Sequence, residues 1–392
     1  MAGSLSGIRI IEFASLGPGP FAGMMLADHG AEVIRVERPG RLPNAMLDRS
    51  RQSIMLDLKS DEGREVAYRL VESADGLIEG YRPGAMERLG LGPEVLLARN
   101  PSLVYGRMTG WGQTGPFADL PGHDINYVAA TGALHAIGPA DGDPVVPLNL
   151  LGDFGGGGML LAFGMVSALL RAGSTGQGQV VDCAMTDGVN LLAGAIRILL
   201  DDGLWQDRRG ANILDGGAPF YAVYRTACGG HVSIGALEPE FYRELLAALD
   251  LTEDPVFRRQ MDPAAWPAMK ARLAQIFAGR GRDEWCALLQ HRPLCFAPVL
   301  TLTESAGHPQ HAARDAYVEV GPGLQPVAAP RFSATPAAQP RPSPAPGTDT
   351  TAILTELGYG DDEISALLTQ GVVGTADRNV PAPSISLSTT NS

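Results

Sequence analysis

The first 110 residues alternate short apolar runs with amphipathic stretches. GIRIIEF (7–13) is β-branched and apolar, the composition of a strand buried on both faces. SLGPGP turns the chain, and FAGMMLADHG (21–30) reads as a helix stopped by Gly30. AEVIRVERP (31–39) is a second strand, so the three form a βαβ unit, which implies a parallel pair with a right-handed crossover. DEGREVAYRLVESA (61–74) has helical periodicity and an acidic first turn. DGLIEGY (75–81) and PSLVYGRM (101–108) read as further strands, and the alternation predicts an open α/β domain.

The pattern then changes. LLGDFGGGGMLLAFGMVSALLRAG (150–173) opens with a glycine run and continues as a buried helix, and GQVVDCAMTDG (178–188) reads as a strand entering a helix. Residues 189–215 look helical and then irregular. YAVYRTACGGHVSIGAL (221–237) predicts a hairpin around Cys228-Gly229-Gly230, followed by a helix in EPEFYRELLAALDL. Residues 330–347 are proline-rich and extended, and 350–373 hold two short helices. The expected division is a large α/β domain over 1–188, a connection over 189–220 and a smaller α/β domain over 221–325. A return linker with helices follows over 326–375, and then a disordered polar tail over 376–392.

Composition narrows the class. Hydrophobic residues are 45% and charged residues 19%, the balance of a globular chain. No uninterrupted apolar run approaches the roughly 20 residues that cross a bilayer, and the N-terminus lacks a signal-peptide layout. Four widely spaced cysteines without a CxxC pair argue against a disulfide framework and against a zinc site. The chain ends TTNS, not a peroxisomal address, so a cytoplasmic location is expected. A net charge of −13 disfavours nucleic acid and acidic membranes as partners. Against it, Arg35, Arg38, Arg41, Arg49 and Arg51 cluster, with Arg82 and Arg88 beyond, which suggests a small anionic ligand; the alternative is a solvated face with internal ion pairs.

Gly17-Pro18-Gly19 is not a dinucleotide fingerprint. Ala22 stands where the third glycine belongs, and two prolines remove the N–H donors a pyrophosphate uses. Three acid–base candidates remain. His123-Asp124 follows the turn Pro121-Gly122, where a loop can present an imidazole to a cleft, or else is a surface histidine or helix cap. Asp153, among apolar residues and before four glycines, is either a ligand-facing carboxyl or the N-cap of the next helix. Glu238, before Pro239, is a possible N-cap, and nothing local separates it from Glu240.

Nine blocks occur in order over about residues 5–330: IIEFASLGPGPFAGMMLADHGAEVIRVERP, LDLKSDEGREV, EGYRPGAMERLGLG, YGRMTGWGQTGP, GHDINY, LNLLGDFGGGG, GQGQVVDCAMTDG, RGANILDGGAPFY and GALEPEFY. Together they resemble the family III CoA-transferase superfamily, and within it the α-methylacyl-CoA racemase branch. The resemblance implies a Rossmann-like large domain without a dinucleotide, completed by the C-terminal segment, plus a smaller α/β domain. It also implies an interlocked homodimer with active sites between the large domain of one chain and the small domain of its partner. Asp153 matches the superfamily aspartate, a nucleophile in the transferases. In the racemases the matching His123 and Asp153 are the acid–base pair and Glu238 is associated with the histidine, with Asp124 an alternative orienter.

The resemblance further implies an acyl-CoA substrate, no separate cofactor and no metal. Arg38 and Arg88 would meet the nucleotide or its phosphates, with Leu56-Asp57-Leu58-Lys59 and Gly80-Tyr81-Arg82 as adjoining walls. Gly122, Asp124, Ile125, Asn126 and Tyr127 would line the thioester end, and backbone N–H groups at Asp153 or its glycines would meet the oxyanion. Arg49 and Arg51 rank lower because their loop varies in length among relatives. The expected activity is inversion at the α-carbon of a 2-methylacyl-CoA through an enolate. The rivals are a CoA-transferase using Asp153 as nucleophile and a non-catalytic acyl-CoA-binding protein.

Overall fold

A computed structural model describes residues 3–38 and 43–376; Arg41 and the expected tail residues 377–392 lie outside them. The chain divides into two compact units. The first comprises residues up to Val128, Leu148–Leu192 and those from Asp315 on, and the second comprises Ala129–Pro147 and Ala193–Arg314.

Strands β1 (Arg9–Phe13), β2 (Glu32–Glu37), β3 (Gln52–Leu56), β4 (Gly76–Glu79), β5 (Val104–Thr109) and β6 (Gln179–Ala184) belong to the first unit. Strands β7 (Tyr221–Arg225), β8 (His231–Gly235) and β9 (Phe296–Val299) form a sheet in the second. The chain then returns to the first unit with β10 (Tyr317–Val320), β11 (Gly323–Pro326) and β12 (Val373–Gly374). The large sheet runs β12-β3-β2-β1-β4-β5-β6, parallel throughout except for β12 against β3. Ile10, Ile11, Val33, Ile34, Ile54, Leu77 and Ile78 are almost wholly buried, as strands covered on both faces require. β1 pairs β2 on one side and β4 on the other, so the winding reverses there and leaves a crevice at the strands' carboxyl ends.

Several elements differ from the sequence reading. The first helix is Pro18–Asp28, starting three residues earlier, because prolines at a helix start forfeit only N–H groups that have no partner there. β3 was not foreseen: its five residues, QSIML, begin polar and follow buried arginines. Nor was β9, whose four residues carry a proline. Ala129–Pro147 cluster with the second unit, not the large domain, held there by Arg209, which donates to the carbonyls of His135 (2.9 Å) and Gly142 (2.7 Å).

Leu150–Thr175 is one continuous helical run of 26 residues with mean hydropathy 1.4, long and apolar enough to cross a membrane, contrary to the expectation from uninterrupted runs. Its glycines hid the length. Leu161, Met165, Ala168 and Ala172 form a buried stripe on it, and Met165 and Leu161 reach Gly106 of β5, which identifies the core-facing side.

Candidate active site

The parallel sheet brings the carboxyl ends of β1, β2, β3 and β4 to one edge. Ser15–Gly19 follow β1, Arg38 follows β2, Asp57-Leu58-Lys59 follow β3, and Gly80-Tyr81-Arg82 follow β4. Arg38, Arg82 and Arg88 are exposed. Leu56 is different: its side chain is buried in the core, so only the residues after it present a surface.

The other arginines of the cluster hold the fold. Arg35, with 1% exposure, pairs with Glu12 at 3.0 Å and with Asp48 and Glu37. Arg51 pairs with Glu12 at 2.7 Å, and Arg49 with Asp28. A buried guanidinium needs such partners, and these leave no donor set facing an anionic ligand. The anion-binding expectation therefore narrows to Arg38, Arg82 and Arg88.

Asp153 lies in Leu150–Met159, wound as a π-helix in which the Phe154 N–H reaches the Asn149 carbonyl at 3.3 Å. It is not the N-cap of the helix that follows: Met159 holds that position. The Asp153 carboxylate accepts from Asn149 Nδ2 at 3.2 Å. It also faces the β1–helix turn, where a Cβ on Gly17 would stand 3.0 Å from Asp153 Oδ2. The acid therefore sits beside the crevice where β1 and β4 diverge. Burial pushes its pKa up; the Asn149 hydrogen bond opposes this, the charge of Asp124 adds to it, and His123 opposes it.

The glycines after Asp153 have a packing role rather than the expected ligand-facing one. Cβ atoms at Gly156 and Gly158 would meet the Val189 amide (2.8 Å) and the Pro18 carbonyl (2.7 Å). Gly188, in the helix Met185–Leu192, presses equally closely on Gly156. Helix backbones come this close only where no side chain intervenes.

His123 stands exposed immediately before the helix Asp124–Ala130, and its N–H donates to Asn126 Oδ1 at 3.0 Å. Ile125 and Asn126 are exposed, whereas Tyr127 is buried, its ring edge-on to Trp111 at 4.9 Å. Gly122 is needed for that ring, because a Cβ there would meet it at 2.6 Å. Burial raises the Tyr127 pKa, the charge of Asp153 adds, and Arg82 opposes, so the phenol faces both. Asp124 does not orient His123 as expected. Its Oδ1 accepts from the backbone N–H of Asp153 at 2.7 Å, which also removes that N–H from the expected oxyanion donors. Asn149 escaped the sequence reading, although a polar residue four positions before an acid on a helix is a readable pairing signal.

Glu238 belongs to the second unit. It occupies the N-cap position of the helix Pro239–Ala248 without a side-chain cap, and is exposed. Its charge acts on Cys295, which lines a groove of about 530 Å³ with Tyr221, Val223, Ile234 and Phe296.

Residues 5–350 match the model of CoA-transferase family III. The chain is 44% identical to an α-methylacyl-CoA racemase of Mus musculus over 371 residues, 94% of this chain and 97% of that one. It is 42% identical to the α-methylacyl-CoA racemase of Homo sapiens over 373 residues, with the same coverage. A CaiB/BaiF family protein of Brucella suis superposes with a TM-score of 0.78 at 27% identity, over 91% of this chain and 100% of that one.

Proposed function

We propose that this chain, which belongs to CoA-transferase family III, racemises the α-carbon of 2-methylacyl-CoA thioesters with His123 and Asp153 as its two acid–base groups. The substrate class follows from likeness to two proteins named α-methylacyl-CoA racemase. The chemistry rests on one observation: Asp153, a carboxyl raised by burial, lies within electrostatic reach of His123.

A proton α to a thioester is weakly acidic, so its removal needs a base, and inversion needs an acid on the opposite face. Neutral His123 with protonated Asp153 serves the 2S substrate. The imidazolium with ionised Asp153 serves the reverse. The two forms hold the same number of protons and interconvert most readily when the affinities of the groups are similar. Burial brings the carboxyl closer to the imidazole range and so favours that match.

In this reading Arg38, Arg82 and Arg88 take the CoA phosphates, Asp57–Lys59, Gly80 and Tyr81 form the adjoining walls, and no separate cofactor takes part. Gly122, Ile125, Asn126 and Tyr127 border the thioester. Glu238 of the partner in a homodimer steadies His123 as a cation. Exposed Phe163 and Leu170, on the outer face of Leu150–Thr175, support a contact between chains.

An optically pure 2-methylacyl-CoA in D2O separates this reading from its rivals. The expected result is deuterium incorporation with loss of optical purity and no acceptor acid. His123→Ala should lower exchange about 10²- to 10⁴-fold while CoA still binds. A transferase would require an acceptor and preserve the stereocentre, and a binding protein would do neither. Undiminished exchange in His123→Ala would remove the imidazole from the mechanism.

A further inference from the structure

Two bases on opposite faces of one carbon must be held at a set separation, yet His123 precedes a short helix and Asp153 lies in a π-helical turn thirty residues later. The residue after His123 bridges them. Asp124 Oδ1 accepts from the backbone N–H of Asp153 at 2.7 Å. We propose that Asp124 is a positioning residue whose carboxylate ties the turn carrying Asp153 to the helix start carrying His123, and so sets the spacing of the acid–base pair. This rests on the racemase reading and deepens it.

Three features support a built tie. Asp124 is buried, at 9% exposure, and its Oδ2 has no hydrogen-bond partner among the described residues, so the carboxylate's printed bond is the one to Asp153. A carboxylate is costly to bury, and here its position is explained by that bond. Gly152 makes the approach possible, because a Cβ there would collide with Asp124 Oδ1. Finally, the tie acts on the backbone, so it locates Asp153 while leaving the Asp153 carboxyl available for proton transfer.

The same carboxylate influences protonation. Asp153 is faced by Asn149 from its own turn, by His123 and Asp124 from the neighbouring helix start, and by Tyr127 one turn on, which Arg82 also faces. Among these, Asp124 raises Asp153 whereas Asn149 and His123 lower it. Neutralising Asp124 therefore removes a raising influence.

The test compares Asp124→Asn with Asp124→Ala for α-proton exchange across pH, alongside the Asp153 amide signal by NMR. Asn keeps an acceptor and loses the charge. Its maximal rate should stay within a few-fold of the parent, with the acid limb of kcat/KM moved to lower pH. Ala loses the acceptor, and its kcat should fall roughly 10²-fold with little change in KM for the acyl-CoA. A shift in pH profile is not expected from a merely structural role. An unmoved acid limb in Asp124→Asn, or parental kcat in Asp124→Ala, would overturn the proposal. If the parent shows no exchange at all, the racemase reading fails by itself. The tie is still tested then: the Asp153 amide should exchange with solvent faster in Asp124→Ala than in Asp124→Asn, and equal protection would reject it.

Discussion

Cys228 Sγ receives the backbone N–H of Arg282 at 3.4 Å and lies 3.4 Å from Thr226 Oγ1, and these contacts draw its pKa down to about 7. Burial acts in the opposite sense on the other thiols, pushing Cys183 up to about 12 and raising Cys286 and Cys295. A lowered pKa makes the thiolate present above about 7 and absent below it. Cys228 should therefore be the first cysteine alkylated by iodoacetamide at neutral pH, with a rate that falls on acidification; peptide mapping by mass spectrometry checks this, and equal labelling of Cys295 would contradict it. The arginines illustrate the same dependence on surroundings. Arg35 and Arg38 are three residues apart, yet one is sealed among Glu12, Glu37 and Asp48 and the other is exposed. Strand alternation alone could not separate them, because the partners of Arg35 come from β1 and from the segment before β3.

At the level of elements, the glycines around Asp153 let three backbones meet: the helix Pro18–Asp28, the π-helix Leu150–Met159 and the helix Met185–Leu192. Gly188→Ala should lower stability by about 1–3 kcal/mol, since a methyl would enter the space of the Gly156 backbone and neither helix can yield without moving its neighbour. Urea unfolding measures this, and an unchanged midpoint would mean that the packing relaxes freely. The βαβ start, the hairpin at Cys228 and the two helices in 350–373 were legible because each has a local signal: β-branched runs, a Gly-Gly turn, or helical spacing between glycines. The π-helical winding was not. It depends on the glycines having two helices to pack against, and no short window of sequence contains all three.

Across the whole molecule, the chain leaves the first unit twice and returns, and its last strand, β12, pairs with β3 near the beginning. Ile353, Leu354, Ile364 and Leu367 join the core formed by Ile34, Val36 and Ile54. His123 belongs to the first unit and Glu238 to the second. The proposed homodimer, in which a site draws His123 from one chain and Glu238 from its partner, is open to complementation. Chains bearing His123→Ala and Glu238→Ala, each impaired alone, should regain exchange when co-expressed, because a mixed dimer can assemble one intact pair. A mixture no better than either variant alone would reject the shared site. From the sequence alone came the alternation that dictates a parallel α/β sheet, and the ordered blocks that mark the family and single out His123 and Asp153, since both signals lie in contiguous residues. Only the tertiary structure decided which arginines were available to a ligand, that Asp124 turns to the backbone of Asp153, and that the glycine run serves helix packing. Each of those depends on residues distant in the chain, and the burial and partners of a charge arise only when the fold brings them together.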